Sequence, residues 1–222
     1  YLSLLKNKYT YMKIAIYSSK GSAGKTPISA NIALDKGFCI GTNEAFHIYD
    51  NLIEENKLIA LQTEESFPEA LIKHDIDIVF DLAGSISKSA ISISSALKMA
   101  DYVLVPIYNE YKSLVAGLNT INQIKEYNQN IIVIATKLQK QKSDIFKDDW
   151  TQNEDFINIK NGVRKKFGDD IPVLPLKFSK VFDNIFEEQK SIKQLMDNNS
   201  LASYSYRDVA KQFQDIYNLI GI

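Results

Sequence analysis

Short apolar runs alternate with longer amphipathic stretches along almost the whole chain. The runs at 13–17, 38–40, 57–61, 76–80, 102–107, 131–135 and 171–174 are rich in Ile and Val, and most are apolar at successive positions. Strands buried on both faces have this pattern, because helices cover each side of a parallel sheet. Between them, the spacing predicts helices at 25–35, 89–99, 112–127, 155–167 and 204–220. In the last of these Tyr206, Val209, Phe213, Ile216, Tyr217 and Ile220 form one apolar stripe, with Arg207, Lys211 and Asp215 turned away. The alternation predicts an α/β fold, a doubly wound, mostly parallel sheet flanked by helices in a single domain. That domain spans 12–222. Residues 1–11 read as an N-terminal extension with no apolar run of signal-peptide length.

Composition narrows the partners. The chain has 222 residues, 26 Lys and Arg against 27 Asp and Glu, and a net charge of −1, so no surface-wide coat of nucleic acid or anionic lipid is expected. Any polyanion must be met by a local patch. Cys39 is the single cysteine, which excludes a disulfide framework and any multi-thiolate metal site within one chain, and fits a reducing cytoplasm. No stretch reaches the roughly 18 apolar residues of a membrane span. The polar stretch 139–158, with Lys140, Lys142, Asp144, Lys147, Asp148, Asp149, Glu154 and Asp155, predicts an exposed loop or insertion, with Trp150 as its anchor or as a partner contact.

The strongest chemical signal is Lys20-Gly21-Ser22-Ala23-Gly24-Lys25-Thr26, between the first strand and the first helix. A loop so placed wraps phosphate oxygens with backbone N–H groups, and the helix N-terminus adds its positive end. Lys25 would reach the outer phosphates and the Thr26 hydroxyl would bind Mg²⁺. The usual Gly-x-x-x-x-Gly-Lys-Ser/Thr spacing asks for glycine where this chain has Ser19. In its place a lysine, Lys20, precedes the loop lysine by five positions.

This loop resembles that of the deviant Walker A ATPases, the ParA/MinD group. Asp75-Ile76-Asp77-Ile78-Val79-Phe80-Asp81-Leu82-Ala83-Gly84 is similar to the family's apolar strand ending in an aspartate, and Ala100-Asp101-Tyr102-Val103-Leu104-Val105-Pro106-Ile107 to the strand after it. Ile171-Pro172-Val173-Leu174-Pro175-Leu176 matches the strand that runs toward the adenine pocket. The resemblance implies ATP or ADP held by Lys20, Gly21, Ser22, Ala23, Gly24, Lys25, Thr26 and Pro27, with Mg²⁺ at Thr26 and, through water, at Asp81. It implies that Lys20 crosses an ATP-dependent dimer to touch the partner's nucleotide, and that Lys20, Lys25 and the residue at position 43 serve hydrolysis.

The departures from the family carry expectations of their own. The loop's second glycine and second threonine are replaced by Ser22 and Pro27, the latter tolerated in a first helical turn. Where the family has Asp-x-Asp-Pro-Gln after the second strand, this chain has Gly41-Thr42-Asn43-Glu44-Ala45, which puts Asn43 in the place of the water-positioning aspartate. Asparagine orients water but brings no carboxylate, which predicts slow hydrolysis unless Glu44 or Asp50 supplies one.

The resemblance makes a ParA-like partitioning ATPase the leading reading: cytoplasmic, nucleoid-associated, answering to a ParB-type adaptor and binding DNA without sequence preference. Arg164, Lys165 and Lys166 are candidates for the basic patch, with Lys177, Lys180, Lys190 and Lys193 beyond and Phe167, Phe178 and Phe182 interleaved. A MinD-like membrane role would need a basic polar face on the last helix, where only Arg207 and Lys211 stand. A dethiobiotin-synthetase-like ligase on the same fold has no special use for Lys20. Iron–sulfur reductases of the wider group need two cysteines per chain. His47, His74 and the Tyr204 and Tyr206 pair read as ordinary surface or core residues.

Overall fold

The computed structural model describes residues 11–61, 65–84, 90–141, 144–146, 148–197 and 199–222. Seven strands form one sheet: β1 (Lys13–Ile16), β2 (Cys39–Thr42), β3 (Leu58–Ala60), β4 (Ile78–Asp81), β5 (Tyr102–Ile107), β6 (Ile131–Leu138) and β7 (Val173–Lys177), in the order β3-β2-β4-β1-β5-β6-β7. Every pairing between them is parallel. The helices are α1 (Lys25–Lys36), α2 (Ala70–Lys73), α3 (Ala90–Met99), α4 (Tyr111–Ile124), α5 (Glu154–Phe167), α6 (Val181–Glu188), α7 (Ile192–Met196) and α8 (Ser200–Ile220). The α/β expectation is met, and the described sheet is parallel throughout.

Strand periodicity divides the interior in two. Ala15, Phe80, Val103, Val105 and Val133 point to the face covered by α3, α4 and α5, while Ile14, Ile16, Val79, Leu104 and Ile132 point to the face covered by α1, α6, α7 and α8. Each fully buried Ile or Val of this kind contributes roughly 1.5–3 kcal/mol. The apolar stripe of α8 closes the second face, with Val209, Phe213, Ile216, Tyr217 and Ile220 all buried. That face is therefore spent inside the fold, and no described helix is long and apolar enough to cross a membrane.

Several boundaries differ from the sequence reading. β2 extends through Gly41 and Thr42, which pair with Phe80 and Asp81 on one side and with Ile59 and Ala60 on the other. β6 extends past Ala135 across a register shift, where Lys137 adopts a positive φ of 58°. The helices α2, α6 and α7 were not expected. Ser89, Lys142 and Lys147 lie outside the described residues. The rest of the polar stretch is a covering segment: the short turn Trp150–Gln152 carries a buried Trp150, whose Nε1–H donates to Asp208 Oδ2 on α8 at 3.1 Å.

β1 lies at the middle of the sheet, with the next strands in sequence, β2 to β4, on one side and β5 to β7 on the other. Strand order reverses there, so a crevice opens at the carboxyl end of β1, where ligands bind in open α/β sheets.

Candidate functional site

The loop from Lys20 to Thr26 occupies this crevice. Ser22 and Gly24 both have positive φ, 59° and 95°, which curls the backbone so that successive N–H groups can face one concavity. Glycine suits the second position, the N-cap of α1 in left-handed conformation. No side chain caps α1, and no acidic residue stands in its first turn. Its amino-terminal N–H groups are left for an anionic ligand. From behind, the buried Thr136 on β6 donates from Oγ1 to Ala23 O at 3.0 Å and fixes the loop to the sheet.

The residue that breaks the usual spacing has a place of its own. Ser19 Oγ lies 2.8 Å from Thr120 Oγ1 on α4, and the Ser19 N–H donates to the same oxygen at 3.2 Å. Gly84, after β4, sits against the loop entry: a Cβ there would stand 3.0 Å from Ser18 O and 3.2 Å from Ser19 O.

A cavity of about 470 Å³ opens over the loop, lined by Gly21 to Ile28, Glu44, Gly84, Thr136 and Lys137, and at its far end by Leu176, Phe178, Ser179, Phe182 and Asp183. Volume and lining suit a nucleotide, with phosphates on the loop and a flat apolar base against the β7 end. A second cavity of about 220 Å³ adjoins it around Thr26, Pro27, Glu44, Phe46, His47, Ile48, Tyr49, Asp81 and Phe186. Lys25 is buried in the main cavity wall. Lys20 is half-buried and lies outside both linings.

Asp81 is 1% exposed at the end of β4. Its Oδ2 accepts from the Tyr49 hydroxyl at 2.8 Å, while Oδ1 is buried without a partner. Burial pushes the carboxyl above the usual carboxylate range, opposed by the Tyr49 hydroxyl and by the nearby hydroxyl of Thr26; the charge of Glu44 raises it further and Lys25 lowers it. An orphaned carboxylate oxygen beside a threonine hydroxyl and a lysine is the donor set a Mg²⁺–phosphate complex completes, since Mg²⁺ takes one or two protein oxygens and fills its shell with water and phosphate. Among the described residues no cluster of three or more His, Cys, Asp and Glu could hold a metal without such help.

Asn43 is fully buried and lines neither cavity. Its Nδ2 donates to Ser92 Oγ on α3 at 2.7 Å, and its Oδ1 accepts from the Ala83 N–H at 2.8 Å. Its amide thus ties the end of β2 to the segment after β4. Glu44, the next residue, is half-buried and lines both cavities, its backbone N–H held by Thr42 Oγ1 at 3.2 Å. Asp50 is exposed, 3.8 Å from His47 Nδ1.

Arg164, Lys165 and Lys166 lie apart from the crevice, at the carboxyl end of α5, whereas Lys177, the last residue of β7, lines the main cavity. Arg164 pairs with Asp169 at 2.9 Å, Lys166 Nζ donates to Leu118 O and Asn119 Oδ1, and Lys165 is exposed. Lys177 pairs with Asp208 and Lys190 with Glu188, both at 3.7 Å. Phe178 and Phe182 belong to the cavity rather than to this patch. The sequence reading missed Tyr49, Gly84, Thr120 and Thr136; only the position of Gly84, after the strand aspartate, was a signal available beforehand.

No family model and no curated protein matches the chain. Solved structures do. An ATP complex of an McdA variant from Cyanothece superposes with a TM-score of 0.63 at 12% identity, covering 96% of this chain and 98% of that one. MinD from Pyrococcus horikoshii in complex with Mg-ADP gives a TM-score of 0.56 at 14% identity, over 95% and 99%. A putative plasmid partition protein from Borrelia burgdorferi bound to AMPPNP gives 0.51 at 16% identity, over 93% and 99%. Likenesses at such identities show a shared fold, the one seen in McdA, MinD and partition-protein structures, over nearly the full length of each.

Proposed function

We propose that this chain is a Mg²⁺-dependent ATPase of the ParA/MinD type, with ATP bound by Gly21 to Pro27 and a ParA-like role in DNA partitioning. The observation that carries the reading is the crevice: an uncapped α1 N-terminus and a curled loop facing a nucleotide-sized cavity, with the orphaned Asp81 oxygen beside Thr26. That the neighbours were solved with ATP, Mg-ADP and AMPPNP supports the choice of ligand.

In this reading Lys25 and the loop N–H groups fix the phosphates, while Thr26 and Asp81 hold the metal, with Tyr49 orienting the Asp81 carboxylate. Bound Mg²⁺ supplies charge neutralisation on the phosphate oxygens. Phosphoryl transfer depends mostly on such positioning and electrostatics. Lys20, outside the cavity of its own chain, is free to serve a second copy across a sandwich dimer. The neutral amide of Asn43, committed to Ala83 and Ser92, gives attacking water no carboxylate, so turnover is slow unless a neighbouring side chain supplies one.

Light scattering with ADP, ATP and a non-hydrolysable analogue, repeated on Lys20→Ala, tests the reading. ATP-dependent pairing that is lost in the variant supports it; a monomer under every condition refutes it. Steady-state turnover with DNA and a ParB-type adaptor tests the rate, and a wild type as fast as Asn43→Asp means that the carboxylate comes from another residue. Reversing the charge of Arg164, Lys165 and Lys166 together should abolish DNA retention, and unchanged binding excludes that surface. The membrane reading is disfavoured by the burial of the α8 stripe, and liposome co-sedimentation with ATP should give no pelleting.

A further inference from the structure

We infer that Glu44 is the catalytic carboxylate of this site, orienting the water that attacks the γ-phosphate, a role displaced by one residue from Asn43. The inference rests on the ATPase reading above. Among the described residues the only acidic side chains lining the cavity around Thr26 are Asp81 and Glu44. Asp81 is committed to Tyr49 on one oxygen and stands at the metal position with the other. Glu44 has no such commitment and borders both the main cavity and the adjoining one, at the junction where the outermost phosphate and a water would meet.

The backbone explains the displacement. Asn43 follows directly after β2, and its side chain is taken into the core, where Ala83 N–H and Ser92 Oγ take both ends of the amide. The following residue, Glu44, turns toward the crevice instead, where it is half-buried and lines both cavities. The bond from Glu44 N–H to Thr42 Oγ1 fixes that turn. A carboxylate on a chain fixed this close to the sheet is better placed for water than one on the exposed Asp50.

In the step, the water oxygen bonds to the γ-phosphorus as the bond from that phosphorus to the β–γ bridging oxygen breaks. The bridging oxygen leaves with the electron pair on ADP. Glu44 accepts a hydrogen bond from one water proton, aligning the lone pair, and that proton ends on the released inorganic phosphate.

The test compares wild type, Glu44→Gln and Glu44→Asp in single-turnover hydrolysis and in equilibrium binding of ADP, of a non-hydrolysable ATP analogue and of ADP with aluminium fluoride, which captures the in-line water. Glu44→Gln should lose about 100-fold in rate, with ADP and analogue affinities within about threefold of wild type. It should also lose the extra affinity for ADP with aluminium fluoride, a loss that a merely structural role would not single out. Glu44→Asp should recover part of both. A Glu44→Gln rate within about twofold of wild type overturns the inference while leaving the ATPase reading intact. A wild type that binds no ATP overturns both.

Discussion

Asn43→Ala separates a structural role for this residue from a chemical one. The substitution removes two hydrogen bonds from a residue that is fully buried: the acceptor for Ala83 N–H at 2.8 Å and the donor to Ser92 Oγ at 2.7 Å. Leaving the Ala83 N–H without its acceptor costs about 1–3 kcal/mol and the second bond about 1 kcal/mol more, so a loss near 3 kcal/mol is expected. For a chain of this length each kcal/mol lowers Tm by about 2–4 °C, which predicts a fall of roughly 6–12 °C. Thermal unfolding followed by circular dichroism, with and without Mg-ATP, measures it. Because the side chain lines neither cavity, the hydrolysis rate of the folded variant, measured well below its Tm, should change less than that of Glu44→Gln. A variant that melts within about 2 °C of wild type yet loses about tenfold or more in rate would refute this placement and put Asn43 at the reacting centre.

Other positions of the crevice give further predictions. Gly84→Ala sets a methyl 3.0 Å from Ser18 O and 3.2 Å from Ser19 O, backbone atoms that cannot yield without moving the loop, so ATP affinity should fall by about tenfold in a fluorescent-nucleotide titration. Asp81→Asn keeps an acceptor for Tyr49 but removes the charge, and should abolish the Mg²⁺-dependent gain in ATP affinity. The same variant has a pH signature in the ligand-free protein. A carboxyl raised above its unfolded value favours folding while protonated, and that contribution is lost as pH rises through the folded pKa. Between about pH 4 and pH 7 the stability difference should therefore move in favour of Asp81→Asn, and urea midpoints that move the other way would refute the argument.

What could be read from the chain depended on how local each determinant is. The phosphate loop was legible because its parts are contiguous and because a strand and a helix flank it. The strand aspartate Asp81 was legible for the same reason. β2 was read too short because Gly41 and Thr42 look like a turn, yet both neighbouring strands hold them in the sheet. The helices α6 and α7 have 8 and 5 residues, too short to show a stable period. Tyr49, Thr120 and Thr136 became site residues only because the fold brings them to Asp81, Ser19 and Ala23 across 32, 101 and 113 positions. The placement of Asn43 and Glu44 shows the limit most directly: the pattern set the two side by side after β2, but only the structure shows that Asn43 is buried away from both cavities while Glu44 lines them.

A net charge of −1 and a DNA partner are compatible only if the basic surface is local and is doubled by pairing. Within one chain Arg164 is already matched by Asp169, and Lys166 bonds neutral oxygens on α4, so few phosphate contacts are available per protomer. Three contacts give a salt slope, log K against log salt, of about −2.7, and non-specific binding that weak is lost at physiological salt. Two protomers held together by ATP would bring six contacts and a slope of about −5.4, twice that of one protomer. Titrating duplex DNA by anisotropy across a salt series, with ADP and then with a non-hydrolysable ATP analogue, should show the slope steepen by about twofold as binding appears. Equal slopes with both nucleotides would refute nucleotide-driven pairing as the source of DNA affinity, because affinity gained within one chain leaves the number of displaced counterions unchanged.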